Sequence, residues 1–206
     1  MNASGIAAEN ASVAIDGGQG AAINSSDTGV VGVIAGNVLV NGFILESTGA
    51  KCLQASVRGD VEMTSPIAAG CGSDGLQVEL VGGGVFVGKN TTTLSNGLDG
   101  LEVIFNSESS TDKYDVTMSH ISALSNGDDG IWLSRSQSSL VKDSQSNQNA
   151  DDGLDIDNDE LTDIDIPYQI VVSGFVGNRD ESDCGSLAGS YFAASRRPRG
   201  ALQNIS

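Results

Sequence analysis

Ser73-Asp74-Gly75-Leu76-Gln77-Val78, Leu98-Asp99-Gly100-Leu101-Glu102-Val103, Asp128-Asp129-Gly130-Ile131-Trp132-Leu133 and Asp151-Asp152-Gly153-Leu154-Asp155-Ile156 are four versions of one phrase. Their Asp-Gly pairs lie 25, 30 and 23 residues apart, and Asn96, Asn126 and Asn149 precede three of them at a constant offset. Turn chemistry therefore repeats along with hydrophobicity. A Gly at a left-handed turn position followed by an apolar, polar, apolar triplet reads as turn then strand. One strand cannot fill so long an interval, and no 3.6-residue pattern is long enough to supply a crossover helix. A coil of about three short strands joined by turns meets the period, each coil stacking on the last at roughly 4.8 Å.

Outward from this core the pattern weakens. Gly5-Ile6 and Asp27-Thr28-Gly29-Val30 read as a degenerate first coil, and Val30 to Leu45 as a buried strand, a turn at Asn41-Gly42 and another strand. Thr48-Gly49-Ala50-Lys51-Cys52 stands near the place of the next Asp-Gly phrase. Asn106 to Asp115 is polar and rich in Ser and Glu, which reads as a loop bulging from the long interval. Leu161, Ile164 and Ile166 can complete a last turn, Tyr168 to Val176 can supply one more strand, and nothing from Gly177 to Ser206 repeats the phrase.

On these residues the chain resembles the right-handed parallel β-helix repeats of pectate lyases, polygalacturonases, alginate epimerases and phage tailspikes, well over residues 20 to 160 and loosely over 5 to 176. The resemblance implies an all-β fold, a single-stranded right-handed parallel β-helix solenoid of about seven coils with about 20–30 residues each. It would occupy residues 1–176, with strong repeats over 74–157, a loop insertion at 106–115, and a C-terminal cap, linker or disordered tail at 177–206. Such a fold hosts unrelated sites, so it implies no single activity.

Composition narrows the partners. A formal net charge of -17 over 206 residues repels phosphate backbones and excludes nucleic acid. Anionic polysaccharide would need an intervening cation, whereas neutral glycans would not. With 27 Gly and 4% aromatic residues the chain fits an extracellular or cell-surface solenoid, although no signal peptide and no apolar span of transmembrane length is visible. Cys52 and Cys71 either bridge neighbouring coils or stack as thiols, and Cys184 makes the count odd. Five sequons begin at Asn2, Asn10, Asn24, Asn90 and Asn204. An unprotected solenoid end invites end-to-end or trimeric association, or continuation into a longer chain.

Alternation phases the strands. Leu76, Val78, Leu101, Val103, Ile131, Leu133, Leu154 and Ile156 point inward, leaving two outward columns: Lys51, Gln77, Glu102, Trp132 and Asp155, then Leu53, Glu79, Ile104, Ser134 and Asp157. An outward Trp132 among carboxylates is the feature folding explains least. Its ring can stack on a sugar while Glu102, Gln77 and Asp155 meet the hydroxyls, unless the 106–115 loop covers it. The turn aspartates Asp74, Asp99, Asp129 and Asp152 read as structural, each accepting from the backbone N–H two residues on, with the asparagines bonding along the stack at an adjacent corner.

Eight acids between Asp151 and Asp165 repel one another unless screened, and their hard oxygens suit Ca²⁺. Asp155 and Asp157, about 6.6 Å apart along one strand face, can share an ion with Asp159. No EF-hand is present, since Glu160 and Ile166 stand where Gly and Glu are required. For catalysis the candidate carboxylates are Glu102, Asp155 and Asp157, which can approach the spacing of an inverting hydrolase. A lyase or epimerase would add Ca²⁺ with Lys51 or Arg135. His120 lies on another side of the coil and reads as structural. The leading expectation is a module that binds carbohydrate or serves as a scaffold, ahead of a polysaccharide-active enzyme. An ice-binding face ranks below both, because Thr91-Thr92-Thr93 occurs once.

Overall fold

Strand after strand alternates in burial, as period-two patterning requires. The computed structural model describes residues 13–25, 30–34, 36–47, 49–106, 108, 112–134, 138–157, 168–171, 174–176 and 193–194. The chain enters through β1 (Val13–Ser25), β2 (Val30–Ile34) and the long β3 (Val38–Ser47). A triplet of short strands then recurs: β4 (Leu53–Val57), β5 (Val61–Thr64) and β6 (Ile67–Ala69), followed by β7 (Leu76–Val81), β8 (Gly84–Lys89) and β9 (Thr92–Leu94). Next come β10 (Leu101–Asn106), β11 (Tyr114–Ser119) and β12 (Ser122–Leu124), then β13 (Ile131–Ser134), β14 (Ser138–Lys142) and β15 (Gln145–Asn147). The series continues with β16 (Leu154–Asp157), β17 (Tyr168–Val171), β18 (Gly174–Val176) and β19 (Ala193–Ala194).

Each member of a triplet pairs in parallel with its equivalents in neighbouring repeats, so the fold is an all-β parallel solenoid. The first ladder runs β2-β4-β7-β10-β13-β16. The second ladder (β5, β8, β11, β14, β17, β19) and the third (β6, β9, β12, β15, β18) form one sheet, because the long β3 pairs with both β5 and β6. Where β3 turns between the two ladders, Gly42 has φ 65°.

The core is a set of columns. In the first ladder Leu53, Leu76, Leu101, Ile131 and Leu154 stack in register, as do Ala55, Val78, Val103, Leu133 and Ile156, and all are buried. The eight residues expected to face inward therefore do so. The second ladder contributes Val61, Phe86, Val116 and, in a neighbouring column, Met63, Met118 and Val141. From β6 to β15 the middle column of the third ladder holds small residues, Ala68, Thr93, Ala123 and Ser146. Space is short there because the Asp-Gly turn of the same coil crosses close by: a methyl group on Gly100 would collide with Thr93 Oγ1, and one on Gly75 would lie 2.6 Å from Asn96 Nδ2.

The corners are fixed by bonds between coils. Ser65, Asn90, His120 and Asp143 turn the chain from the second ladder to the third with φ between 50° and 57°, a left-handed conformation that costs a side-chain-bearing residue on the order of 1–3 kcal/mol. The first three donate their N–H to the coil ahead, at Lys89, Ser119 and Lys142 carbonyls. Ser95 and Ser125 at the following corner do the same toward Leu124 and Asn147. Beside them runs an amide ladder. Asn126 Oδ1 accepts from Asn96 Nδ2 at 2.9 Å, Asn149 Oδ1 accepts from Asn126 Nδ2 at 3.0 Å, and Asn149 Nδ2 donates to Ser146 Oγ at 2.9 Å. The same oxygens accept the backbone N–H groups of Asn96 and Asn126.

Five expectations need correction. Gly75, Gly100 and Gly130 are not left-handed; glycine is needed there because the asparagine amides approach within 2.6 Å of where a Cβ would lie. Cys52 and Cys71 form a disulfide, but within one coil rather than between neighbours. Leu53 pairs with Leu76, so Cys52 holds the position of Gly75, while Cys71 holds that of Asn96. The covalent bridge replaces the glycine–asparagine contact of the later coils. For the same reason Lys51 stands at the level of Asp74 and Leu53 is inward and 2% exposed; Gln54 and Ser56 are the true partners of Gln77 and Glu79. Reading Gly49 as the repeat glycine shifts that coil by three residues. The turn aspartates accept not from two residues ahead but from the next coil: Asp99 N–H donates to Asp74, Asp129 to Asp99 and Asp152 to Asp129, at 3.3, 2.9 and 2.8 Å. The polar insertion is shorter than expected, since Asn106 ends β10 and Tyr114 and Asp115 belong to β11.

From β3 onward all variation in repeat length falls at one corner, whereas in β1 the equivalent of the step Val38 to Ile44 runs from Val13 to Ala22 and is longer. Val61 to Ile67, Phe86 to Thr92, Val116 to Ser122 and Ser139 to Gln145 are equivalent steps of equal length, and so are Ile67 to Leu76, Thr92 to Leu101, Ser122 to Ile131 and Gln145 to Leu154. Only the passage from the first ladder to the second changes. There Arg58 pairs with Glu108 through both guanidinium nitrogens at 2.5 Å, which anchors the insertion two coils back along the stack.

Removing Leu133 to Ala is expected to cost about 2–5 kcal/mol through lost burial and a gap between coils. Asn126→Ala should cost about 1–3 kcal/mol for each buried group left unpaired, whereas half-exposed Thr117→Ala should stay within about 0.5 kcal/mol. Denaturant melts giving equal, small losses at all three would refute the column assignments.

Candidate ligand face and its acid stack

The four residues expected to bind ligand descend one outward column of the first ladder. Gln77, Glu102, Trp132 and Asp155 occupy successive strands β7, β10, β13 and β16 in strict register. Alternation with buried Ile131 and Leu133 turns Trp132 outward, where it is half-buried, and Asp155 is half-buried too. Gln77 and Glu102 lie on the same side but are only 9% exposed each. Gln77 Nε2 donates to Glu102 Oε2 at 2.5 Å.

Glu102 is covered because the turn aspartates rise beside it. Lys51 Nζ lies 2.7 Å from Asp74 Oδ2 and 3.8 Å from Glu102 Oε2, so one ammonium serves two carboxylates. Asp74, Asp99 and Glu102 each bring an oxygen within 4.8 Å of the others. A second group, Asp128, Asp129 and Asp151, meets the same limit one coil further on. Clusters of this kind can coordinate a divalent metal ion, whose charge would offset their repulsion.

Crowding and burial move the protons. Burial, reinforced by the Asp74 charge, pushes Glu102 up to about 7, against the opposing pull of Lys51 and Gln77. Burial raises Asp99 to about 8 despite the Asp129 N–H, with the charges of Asp129, Asp74 and Asp128 adding to it. Asp129 rises to about 7 for the same reason, opposed by the Asp152 N–H and aided by the Asp155, Asp128 and Asp152 charges. Half-buried Asp128 is raised by desolvation and by the Asp151 and Asp74 charges.

The remaining candidates are scattered. Asp157 follows Asp155 on β16 at the level of Ser134, while Asp159 and Arg135 lie outside the described residues. His120 sits exposed at the corner between the second and third ladders, away from Trp132. The described part of the 106–115 loop points to Arg58, with Asp112 Oδ2 accepting from Glu108 N–H at 2.8 Å. The sequence reading left Asp74 and Asp99 in a structural role and did not unite them with Glu102. The available signal was Glu102 itself: among the four phrases only Leu98-Asp99-Gly100-Leu101-Glu102-Val103 carries Glu three residues after its turn aspartate.

No known family, curated protein or solved structure matches this chain. Among the described residues no helix is long and apolar enough to cross a membrane.

The raised carboxyls fix the sign of the pH response. An unfolded carboxyl titrates near about 4, so these groups bind protons more tightly in the folded chain. Their contribution is complete below that value and is lost as pH climbs through about 7 to about 8. Melting temperature is expected to fall steadily between about pH 5 and pH 9. Asp99→Asn and Glu102→Gln should flatten that fall; curves parallel to wild type would assign it to general surface repulsion instead.

Proposed function

We propose that this chain is a right-handed β-helix module of about seven coils that binds a carbohydrate across the Trp132 face, with the coil stack as a rigid scaffold. The observation that carries the reading is Trp132 held half-buried between the Glu102 and Asp155 strands. An aromatic plate can cover the C–H face of a sugar while flanking carboxylates accept its hydroxyls. An extracellular or cell-surface location agrees with the Cys52–Cys71 disulfide, since such bonds persist mainly in oxidising compartments. End-to-end or trimeric association, or a place within a longer chain, also belongs to this proposal.

Calcium belongs to this proposal. Asp155, Asp157 and Asp159 remain one candidate set, and the two clusters around Asp74 and Asp129 are others. Calcium binding to the folded chain should raise melting temperature more than magnesium does at equal ionic strength, because magnesium demands regular octahedral geometry. Equal effects of the two ions in calorimetric scans would remove calcium from the account.

One observation favours an enzyme as the second reading. Burial holds Glu102 near about 7, where a carboxyl can donate a proton at neutral pH, as a general acid must. Asp155 or Asp157 would then act as base or nucleophile in a hydrolase, lyase or epimerase.

A glycan array followed by fluorescence titration tests both readings. Binding is expected to change Trp132 emission and to vanish in Trp132→Ala with little loss of melting temperature. A large loss of stability with unchanged glycan response would make Trp132 a packing residue. Shortened or unsaturated products would favour the enzyme.

A further inference from the structure

Among the described residues two lysines form ion pairs, and their surroundings differ. Lys89 and Glu62 have side chains 47% exposed each, so water screens their charges. Lys51 Nζ lies 2.7 Å from Asp74 Oδ2, with side chains 23% and 5% exposed. The backbones are fixed beside one another there, because Cys52 N–H donates to the Asp74 carbonyl at 3.2 Å and Leu53 N–H to that of Gly75 at 3.1 Å. Cys52 itself has no exposed surface. Glu102 completes the group: its Oε2 lies 3.8 Å from Lys51 Nζ, its side chain is 11% exposed, and one of its oxygens comes within 4.8 Å of an Asp74 oxygen. An amine, the carboxyl it touches and a second carboxyl in reach of both are what an amide-forming step needs.

From this geometry we propose that Lys51 and Asp74 condense into an isopeptide bond, with Glu102 carrying protons between them. The Nζ–Cγ bond forms, a Cγ–O bond of Asp74 breaks, and two protons pass from nitrogen to the departing oxygen, which leaves as water. An ammonium and a carboxylate thus give a neutral amide and water, with no oxidant, reductant or further reactant. Glu102 takes each proton from Nζ, delivers it to the Asp74 oxygen and ends as it began. Free in water the two groups do not condense to any extent; held in contact by paired strands, groups of this kind reach effective molarities on the order of 10⁵–10⁸ M, which favours the amide. Burial of Asp74 also limits the water that would reverse the step.

The bond would join neighbouring coils. Cys52–Cys71 closes one coil on itself, and an amide from the adjacent Lys51 would tie that coil to the one carrying Asp74. Both ties fall in the part of the stack that lies before the Asn96, Asn126 and Asn149 ladder. The inference is independent of the carbohydrate reading. Lys51 Nζ contacts the oxygens that a metal ion would use in this cluster, so the chain is purified in a chelator.

Intact mass spectrometry of the full chain, reduced at Cys52–Cys71, is expected to show a deficit of one water against the mass of the sequence. Trypsin should then leave residues 1–58 joined to residues 59–89, because an acylated Lys51 is no longer cleaved; a free Lys51 releases 1–51 and 52–58 separately. Fragmentation should place the join at Lys51 and Asp74. Asp74→Asn should lose ammonia in place of water, and Lys51→Arg should lose neither. Glu102→Gln should slow joining by about 10²–10⁴-fold, so that chain harvested beside wild type still yields mostly free Lys51 while melting cooperatively. A wild-type chain of full mass with Lys51 cleaved would overturn the inference, as would water loss that persists in Lys51→Arg. A Glu102→Gln chain as fully joined as wild type would refute the proton-carrying step.

Discussion

Side-chain oxygens that accept backbone N–H groups from a neighbouring coil hold the corners of this solenoid, and the strands hang between those corners. A strand of three residues has little cohesion of its own, and β6, β9, β12 and β15 are all that short. Their ends are pinned by Asn96, Asn126 and Asn149 on one side and by left-handed turns on the other. The Asn126 and Asn149 oxygens each accept both an amide and a main-chain N–H, and the Asn96 oxygen accepts the Cys71 N–H, so the column satisfies the buried polar groups that a tight corner would otherwise leave exposed to an apolar core. In the coil before the ladder starts, the Cys52–Cys71 bond closes the same gap covalently.

The aspartate column follows the same logic with a different electrostatic consequence. An asparagine oxygen is a neutral acceptor and can repeat indefinitely. A carboxylate accepts the same N–H but brings charge, and stacking three or more at coil spacing brings like charges together in a partly desolvated strip. Lys51 relieves the first member, and higher up protons supply the relief. Glu102 enters this strip from the strand face, so the turn column and the outward strand column form one electrostatic unit. That coupling links the corner chemistry to the Trp132 face.

Much of the fold is legible in sequence because the constraint is periodic. Leu76 to Ile156 reveal the buried face, since a slip of one residue would turn every one of them to solvent. The fault at Lys51 and Leu53 has a local cause: Cys52 replaces the repeat glycine, and a nearby Gly49 supplies a false marker. Hydrogen-bond partners between coils are less accessible, because an aspartate before glycine is equally compatible with a bond two residues away and one a whole coil away. The burial of Gln77 and Glu102 is harder still. Strand alternation marks a side as outward but does not reveal that a neighbouring turn will roof it over.

From β3 onward, the confinement of length variation to a single corner has an evolutionary reading. Two of the three corners are set by bonds that each coil makes to the next, so an inserted residue there would misalign two columns at once. Among the described residues the passage from the first ladder to the second carries such bonds early in the stack, Asp60 N–H to Asn37 Oδ1 and Val85 N–H to Asp60 Oδ1, and the chain lengthens in a later coil, between Phe105 and Tyr114, whose rings meet with centroids 4.9 Å apart. Loops can therefore be grafted onto that edge in the later coils without disturbing the frame, which makes it the place where a lineage of such repeats acquires diversity.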